Sequence, residues 1–238
     1  MRLDKYLADM GCGSRSELKK QIRHGQAAVD GTVIRDPGFA VHPDSCVLFC
    51  GEPVAYEEFA YYMLHKPAGV VTATVDARQK TVMDLLPGTV RKGLFPVGRL
   101  DRDTEGLLLL CNDGALAHRL LSPGHHVEKV YLAMVRGTLA DDAVERFREG
   151  LRVDEELTAL PAGLRILRKL DGPVEETEAE VTIHEGKYHQ VRRMFRAVGG
   201  EVTALKRLRM GPLVLDPSLP AGKARRLTAE EIEALRAL

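Results

Sequence analysis

Asp101, Asp103 and Glu105 crowd into the stretch Gly-Arg-Leu-Asp-Arg-Asp-Thr-Glu-Gly at 98–106, which also carries Arg99 and Arg102. Leu94 and Val97 before it and the apolar run 106–111 after it suit buried strands, whereas three carboxylates and two guanidiniums cannot enter a core. A charged turn held between two buried strands keeps its side chains at fixed places beside a cleft, where loops carry chemistry. Asp101 is the leading candidate for the reactive group, and three roles compete for it. It can pair with Arg99 or Arg102 to fix the turn. It can act with Asp103 as the carboxylate pair of a glycosidase, although two residues one position apart on an irregular turn rarely bracket a glycosidic bond, and there is no Trp for a sugar to stack on. Or it can be a lone nucleophile or general base.

Tyr131, in Lys129-Val130-Tyr131, reads on its own as a core ring on a buried strand. Arg192, within 185–194 (Glu-Gly-Lys-Tyr-His-Gln-Val-Arg-Arg-Met), is part of a solvated helix face with Arg193 and Arg196, or a cation that keeps a partly buried Asp ionised, as a nucleophile needs. Metal binding is not indicated. His125 and His126 are adjacent and point apart on most backbones, and no Cys or carboxylate spacing completes a set with His118, His184 or His189. Gly186-Lys187 lacks the upstream Gly and the Ser/Thr of a phosphate loop.

The positioning elements read as follows. Residues 3–10 form a short helix; Ser14 opens a second, with Glu17 completing a capping box and Gly25 ending it. Residues 27–34 make a hairpin around Asp30-Gly31. Residues 51–58 are a polar linker. Residues 61–64 are a strand that turns at 65–69 and continues over 70–73, and 81–86 a short helix. Asp113 caps a helix to Leu121, 127–135 is a strand containing Tyr131, and Asp141 caps a helix to Gly150. Residues 151–171 are irregular, with a short strand at 164–167. Residues 177–184 are a strand, 189–198 a helix, 202–210 a strand, and Thr228 with Glu231 caps a last helix. Strands returning through short turns with irregularly inserted helices predict α+β with a mixed, largely antiparallel sheet.

With 34 basic and 34 acidic residues the net charge is zero, so any nucleic-acid partner must be held by local clusters. One cluster is Arg2, Lys5, Arg15, Lys19, Lys20 and Arg23; another is Lys187, Arg192, Arg193, Arg196, Lys206, Arg207 and Arg209, followed by Lys223, Arg225 and Arg226. The four cysteines form no CxxC pair, and Cys46 and Cys50 are expected to be buried as small apolar residues, in keeping with a reducing cytosol. No apolar run approaches membrane-spanning length and the N-terminus lacks a signal-peptide core, which predicts a soluble cytoplasmic protein without a membrane partner.

Residues 98–106 with their Leu run resemble the central motif of the pseudouridine synthases of the RsuA and RluA type. Lys129-Val130-Tyr131 matches that family's tyrosine motif, 185–194 its third motif, and Leu-His-Lys-Pro-Ala-Gly at 64–69 its first, a turn near the cleft. Residues 2–5, 14–25 and 29–31 resemble the S4 RNA-binding module. Ser122-Pro123, His125-His126, Glu128-Lys129 and Tyr188-His189-Gln190 resemble the RsuA branch. The resemblance implies an S4-like domain and linker over 1–58 and a catalytic domain over 59–238. It implies an isomerase that breaks the N1–C1′ bond of a uridine in RNA, turns the uracil and joins C5 to C1′, without cofactor or metal. It assigns catalysis to Asp101, Tyr131 and Arg192, where some members have Lys, with Arg99 steadying the loop. It places Arg2, Lys5, Arg15, Lys19, Lys20, Arg23, Lys66, Lys187, Arg193 and Arg196 against RNA. The target it implies is one uridine of 16S ribosomal RNA, position 516, met by a monomer on rRNA or on a small-subunit assembly intermediate. The alternatives are the same chemistry on large-subunit rRNA, a non-catalytic rRNA-binding assembly factor, and a glycosidase acting on small substrates.

Overall fold

A computed structural model describes residues 1–238 except Thr89, Asp171 and Pro173, and leaves aside the side chain of Pro123. The chain divides into two compact units: Met1–Ala60 with Leu86–Phe95, and Tyr61–Leu85 with Pro96–Leu238. The sequence places 86–95 with the second domain; instead Arg91 donates to the carbonyls of Asp9 and Glu57, and the Lys92 amide donates to Asp9.

In the first unit, helices α1 (Leu3–Asp9) and α2 (Arg15–Arg23) sit with a small sheet of order β2-β1-β3-β4, comprising β1 (Ala27–Val29), β2 (Thr32–Ile34), β3 (Val47–Phe49) and β4 (Glu52–Pro53). The expected capping box is present, with Ser14 and Glu17 each accepting from the other's backbone amide. The hairpin turn has Asp30 at φ 49° and Gly31 at φ 79°, a conformation that Asp and Gly tolerate best, and Val29 faces Thr32 across it. Leu3, Leu7, Leu18 and Ile22 recur at helical spacing and are fully buried with Ala27 and Val29. Asp4 is also buried, its carboxylate taking bonds from Arg2 at 3.1 Å and Arg15 at 3.2 Å. Cys46 and Cys50 are exposed rather than buried. They lie just outside β3, and Cys50 enters the following turn at φ 53°.

The second unit is built on a sheet of order β11-β12-β8-β13-β7-β5-β15, with β14 paired to β13. Its strands are β5 (Tyr61–Lys66), β7 (Glu105–Cys111), β8 (Lys129–Arg136), β11 (Gly163–Leu170), β12 (Glu176–Ile183), β13 (Glu201–Met210), β14 (Leu213–Val214) and β15 (Ala224–Arg226), with β6 (Phe95–Pro96) short and β9 (Leu151–Arg152) and β10 (Thr158–Ala159) paired separately. The seams β11–β12, β12–β8, β8–β13, β13–β14, β7–β5 and β5–β15 are antiparallel, and β7–β13 is parallel. Helices α3 (Gly114–Leu121), α4 (Ala143–Glu149), α5 (Gln190–Ala197) and α6 (Ala229–Arg236) complete it. Leu107 to Leu110 are fully buried, the near-continuous apolar run of a strand covered on both faces.

Four expectations fail here. Residues 70–73 are not a continued strand; only a bridge joins Val71 to Thr81. The helix expected over 81–86 is a 3-10 turn, Val82–Leu85, and that over 141–150 starts from Asp142. The stretch read as irregular contains the eight-residue β11, whose exposed Arg165, Arg168 and Lys169 conceal a strand pattern because it forms the sheet edge; its expected end, Asp171, lies outside the described residues.

Candidate active site

The Asp101 loop is held by its backbone, which frees its side chains. Val97 donates to Leu109 at 2.8 Å, anchoring the loop's entry to β7. The Thr72 hydroxyl donates to the Leu100 carbonyl at 2.7 Å and accepts from the Leu100 amide at 3.2 Å, and Gly69 donates to the Arg102 carbonyl at 2.8 Å. Beneath the loop, Lys66 is fully buried and its ammonium donates to the carbonyls of Thr104 at 2.8 Å, Pro67 at 3.0 Å and Arg102 at 3.1 Å. Burial pushes the Lys66 amine down to about 8 against the upward pull of Asp103, Asp101 and Glu105. Lys66 is therefore not at the RNA surface as expected: the turn 65–69 clamps the loop from inside.

Asp101, a third exposed, opens into a cavity of about 420 Å³. Tyr131 from β8 lines it with only 7% of its surface exposed, together with Leu205 of β13, Ile183 of β12 and Arg99 and Thr104 of the loop. Arg192, in the first turn of α5, forms part of the same wall. The structure thus brings Tyr131 and Arg192, distant in sequence, to one cavity with Asp101 and its loop neighbour Arg99. The detailed pairing differs from expectation. The Arg192 guanidinium pairs with Asp103 at 2.8 Å and donates to the Val202 carbonyl at 2.8 Å, while the basic group beside Asp101 is His189, its Nε2 3.5 Å from Oδ1.

His189, weighed in the sequence as a metal ligand and matched within Tyr188-His189-Gln190, is the site residue for which no role beside Asp101 is expected. Tyr188 stacks on it with ring centroids 3.9 Å apart. Their positions are set by the buried Gln190, whose amide nitrogen donates to Glu185 at 2.8 Å while its oxygen accepts from the Lys187 backbone at 2.9 Å. Glu185 also accepts from the Leu160 amide at 2.9 Å, and the Lys187 ammonium donates to the Thr158 carbonyl at 2.9 Å. Gln190 is the sequence signal, since an amide that makes two bonds within one short turn locks that turn.

The remaining basic candidates divide by their partners. Arg193 forks onto Asp154 at 2.6 and 2.9 Å and is one-fifth exposed, so it is largely structural. Lys187 is tied to Glu185 and Thr158, and Arg196 is exposed. Arg225 pairs with Asp216 and Glu231, joining β15 to α6. On the first unit, Lys5, Lys20 and Arg23 are exposed, Lys19 is half-buried, and Arg2 and Arg15 expose about half of side chains that also serve Asp4. Among the described residues, no group of three or more His, Cys, Asp or Glu is placed to hold a metal ion, and no helix is long and apolar enough to cross a membrane.

Comparison with known proteins matches two stretches of the chain. Residues 60–197 match the family described as RNA pseudouridylate synthase, and residues 1–45 match the S4 domain. The chain is 47% identical to an uncharacterized RNA pseudouridine synthase, YtzG, of Bacillus subtilis (strain 168), covering 99% of this chain and 98% of the relative. It is 41% identical to ribosomal small subunit pseudouridine synthase A of Escherichia coli (strain K12), covering 98% of both. A crystal structure of a pseudouridylate synthase superposes with a TM-score of 0.68 at 35% identity, covering 99% of each chain.

Proposed function

Because the chain belongs to the RNA pseudouridylate synthase family, we propose that it isomerises one uridine of small-subunit ribosomal RNA, position 516 of 16S rRNA, with Asp101 as the catalytic carboxylate. The observation that carries the assignment is the shared cavity of Asp101, Tyr131 and Arg192. The target is supported by the similarity over nearly the full chain to the small-subunit enzyme of Escherichia coli.

The target base must leave its stack to enter the cavity, at a cost of a few kcal/mol that is least in irregular RNA. Tyr131 offsets part of this, because a base on an aromatic ring gains about 1–3 kcal/mol. Asp101 then acts at C1′ or on the base, or takes a proton from the sugar on a glycal route; in each case the N1–C1′ bond breaks, the uracil turns and C5 bonds to C1′. Substrate and product are isomers, so no oxidant, reductant or energy source enters. Arg192 stands in the same cavity wall with its guanidinium paired to Asp103 rather than forked onto Asp101, and Arg99 steadies the loop. Exposed Lys5, Lys20 and Arg23 of the first unit suit contacts to phosphates. The enzyme acts as a monomer in the cytoplasm, where ribosomal subunits are assembled, on free rRNA or an assembly intermediate.

The test is tritium release from C5-labelled uridine in transcribed 16S rRNA. Wild type releases it, and Asp101→Asn loses at least about 10²-fold in turnover while still binding the RNA. Near-normal turnover by that variant removes Asp101 from the chemistry, and binding without release by wild type leaves a non-catalytic assembly factor.

A further inference from the structure

Beside Asp101 the structure places an imidazole and, stacked on it, an exposed phenol. His189 lies 3.5 Å from the Asp101 carboxylate, Tyr188 stacks on it with an interplanar angle of 15°, and Tyr188 is 73% exposed. An aromatic ring of that size left in water is informative when it is also held in place. His189 adopts φ 49°, a left-handed conformation unusual for a non-glycine residue, and Arg193 donates to the Tyr188 carbonyl at 3.4 Å.

Behind this stack lies a second hollow of about 530 Å³. Tyr188 and His189 are the residues that it shares with the Asp101 cavity, so these two residues stand between the hollows. Its lining combines apolar surface from Val153 and Ala197 with Arg196, which is exposed and has no ion-pair partner within 4 Å among the described residues. Asp154 is neutralised by the Arg193 fork, and Glu156 lies 3.7 Å from the same guanidinium. The hollow therefore carries little net charge, which suits a base better than a run of phosphates, with one cation at its edge for a single phosphodiester. Its volume falls in the range of about 300–1,000 Å³ usual for small-ligand sites.

We propose that this hollow seats the nucleotide next to the target uridine, its base stacked on the outer face of Tyr188 and its phosphate at Arg196. This rests on the reading of the Asp101 cavity as the seat of an extruded uridine. Two neighbouring bases that stack on each other in RNA are then held on opposite sides of Tyr188 and His189, and the stack they leave is replaced by protein aromatics on each side. The substrate class is single-stranded or locally unpaired RNA, since a paired neighbour cannot reach the ring.

The experiment uses the full-length protein and a synthetic 16S rRNA fragment with 2-aminopurine at either neighbour of the target uridine. Wild type should change the bound-state fluorescence at one of the two positions, and Tyr188→Ala should abolish that change. With unlabelled RNA, Tyr188→Ala should raise KM by about 5- to 150-fold, the equivalent of one lost stacking contact. Tyr188→Phe keeps the ring and should restore KM to near wild type, and Arg196→Ala should raise KM more modestly. Equal fluorescence of wild type and Tyr188→Ala at both neighbours, or a Tyr188→Phe as impaired as Tyr188→Ala, overturns the proposal. Absence of turnover by wild type on any rRNA instead defeats the isomerase reading, while the fluorescence still reports whether the hollow takes a base.

Discussion

Asp4 and Asp101 show how differently two carboxylates are used in one chain. Asp4 is fully buried, and hydrogen bonds from Arg2, then Arg15, hold its acid below the ordinary carboxylate range. Its folded pKa lies under the unfolded value of about 3.9, so its contribution is complete above that pH and disappears as pH falls through the folded value. Asp4→Asn should therefore flatten the acid limb of a stability-against-pH curve and cost about 1 kcal/mol near neutrality, discounted because both Arg heads are half in water. Denaturant titrations between pH 2 and 7 read this. Arg192 serves two partners, Asp103 and the Val202 carbonyl. Arg192→Lys keeps the charge and should lower kcat by on the order of 10-fold, whereas Arg192→Met loses on the order of 10²-fold or more; equal rates for the two would show that charge at this position is immaterial to the chemistry. Asp101 was legible as a candidate from a charged turn set between apolar runs, and Tyr131 and Arg192 through the resemblance of their stretches to family motifs. The pairing of Arg192 with Asp103 was not, because which side of an irregular loop a carboxylate faces depends on backbone angles that spacing does not encode.

At the scale of elements, the turn after β5 and the Asp101 loop behave as one piece, joined by the Lys66 ammonium. Lys66→Met keeps the length and removes three bonds to carbonyls, which should cost about 1.5–3 kcal/mol and lower turnover without a matching loss of RNA binding. The pH dependence has a definite sign. The Lys66 amine stands at about 8 in the folded protein, below the unfolded value of about 10.4, so the unfolded chain binds more protons between those values and this group makes stability rise with pH across the window. Urea unfolding at pH 7.5 and 9.5 should show a smaller rise for Lys66→Met than for wild type. The family resemblance implied Lys66 against RNA; its burial instead comes with bonds to carbonyls of a loop some forty positions away, which no local pattern reveals. The capped helices and the Asp30-Gly31 hairpin were legible because their determinants are local, and β11 was obscured because an edge strand need alternate on one face only.

For the whole molecule, zero net charge makes the placement of cations decisive. Lys20 and Arg23 lie exposed on α2. Replacing both with Ala should reduce the slope of log affinity against log salt by about 1.4, at about 0.7 for each phosphate contact to single-stranded RNA, with the cleavage of the N1–C1′ bond unchanged at saturating RNA. An unaltered slope would show that phosphates are held elsewhere.

The parallel seam adds a different kind of constraint. Gly106 of β7 faces Arg207 of β13 at φ 104°, and a Cβ there would fall 2.2 Å from the Arg207 carbonyl oxygen. β13 bears Leu205 and, through its Val202 carbonyl, steadies Arg192, so the breadth of the Asp101 cavity depends on a methyl group that is missing. Gly106→Ala should pry the two strands apart and depress tritium release more than RNA binding, although position 106 is outside the cavity lining. Evolution could tune such an enzyme from beneath its floor, by altering how closely two backbones approach.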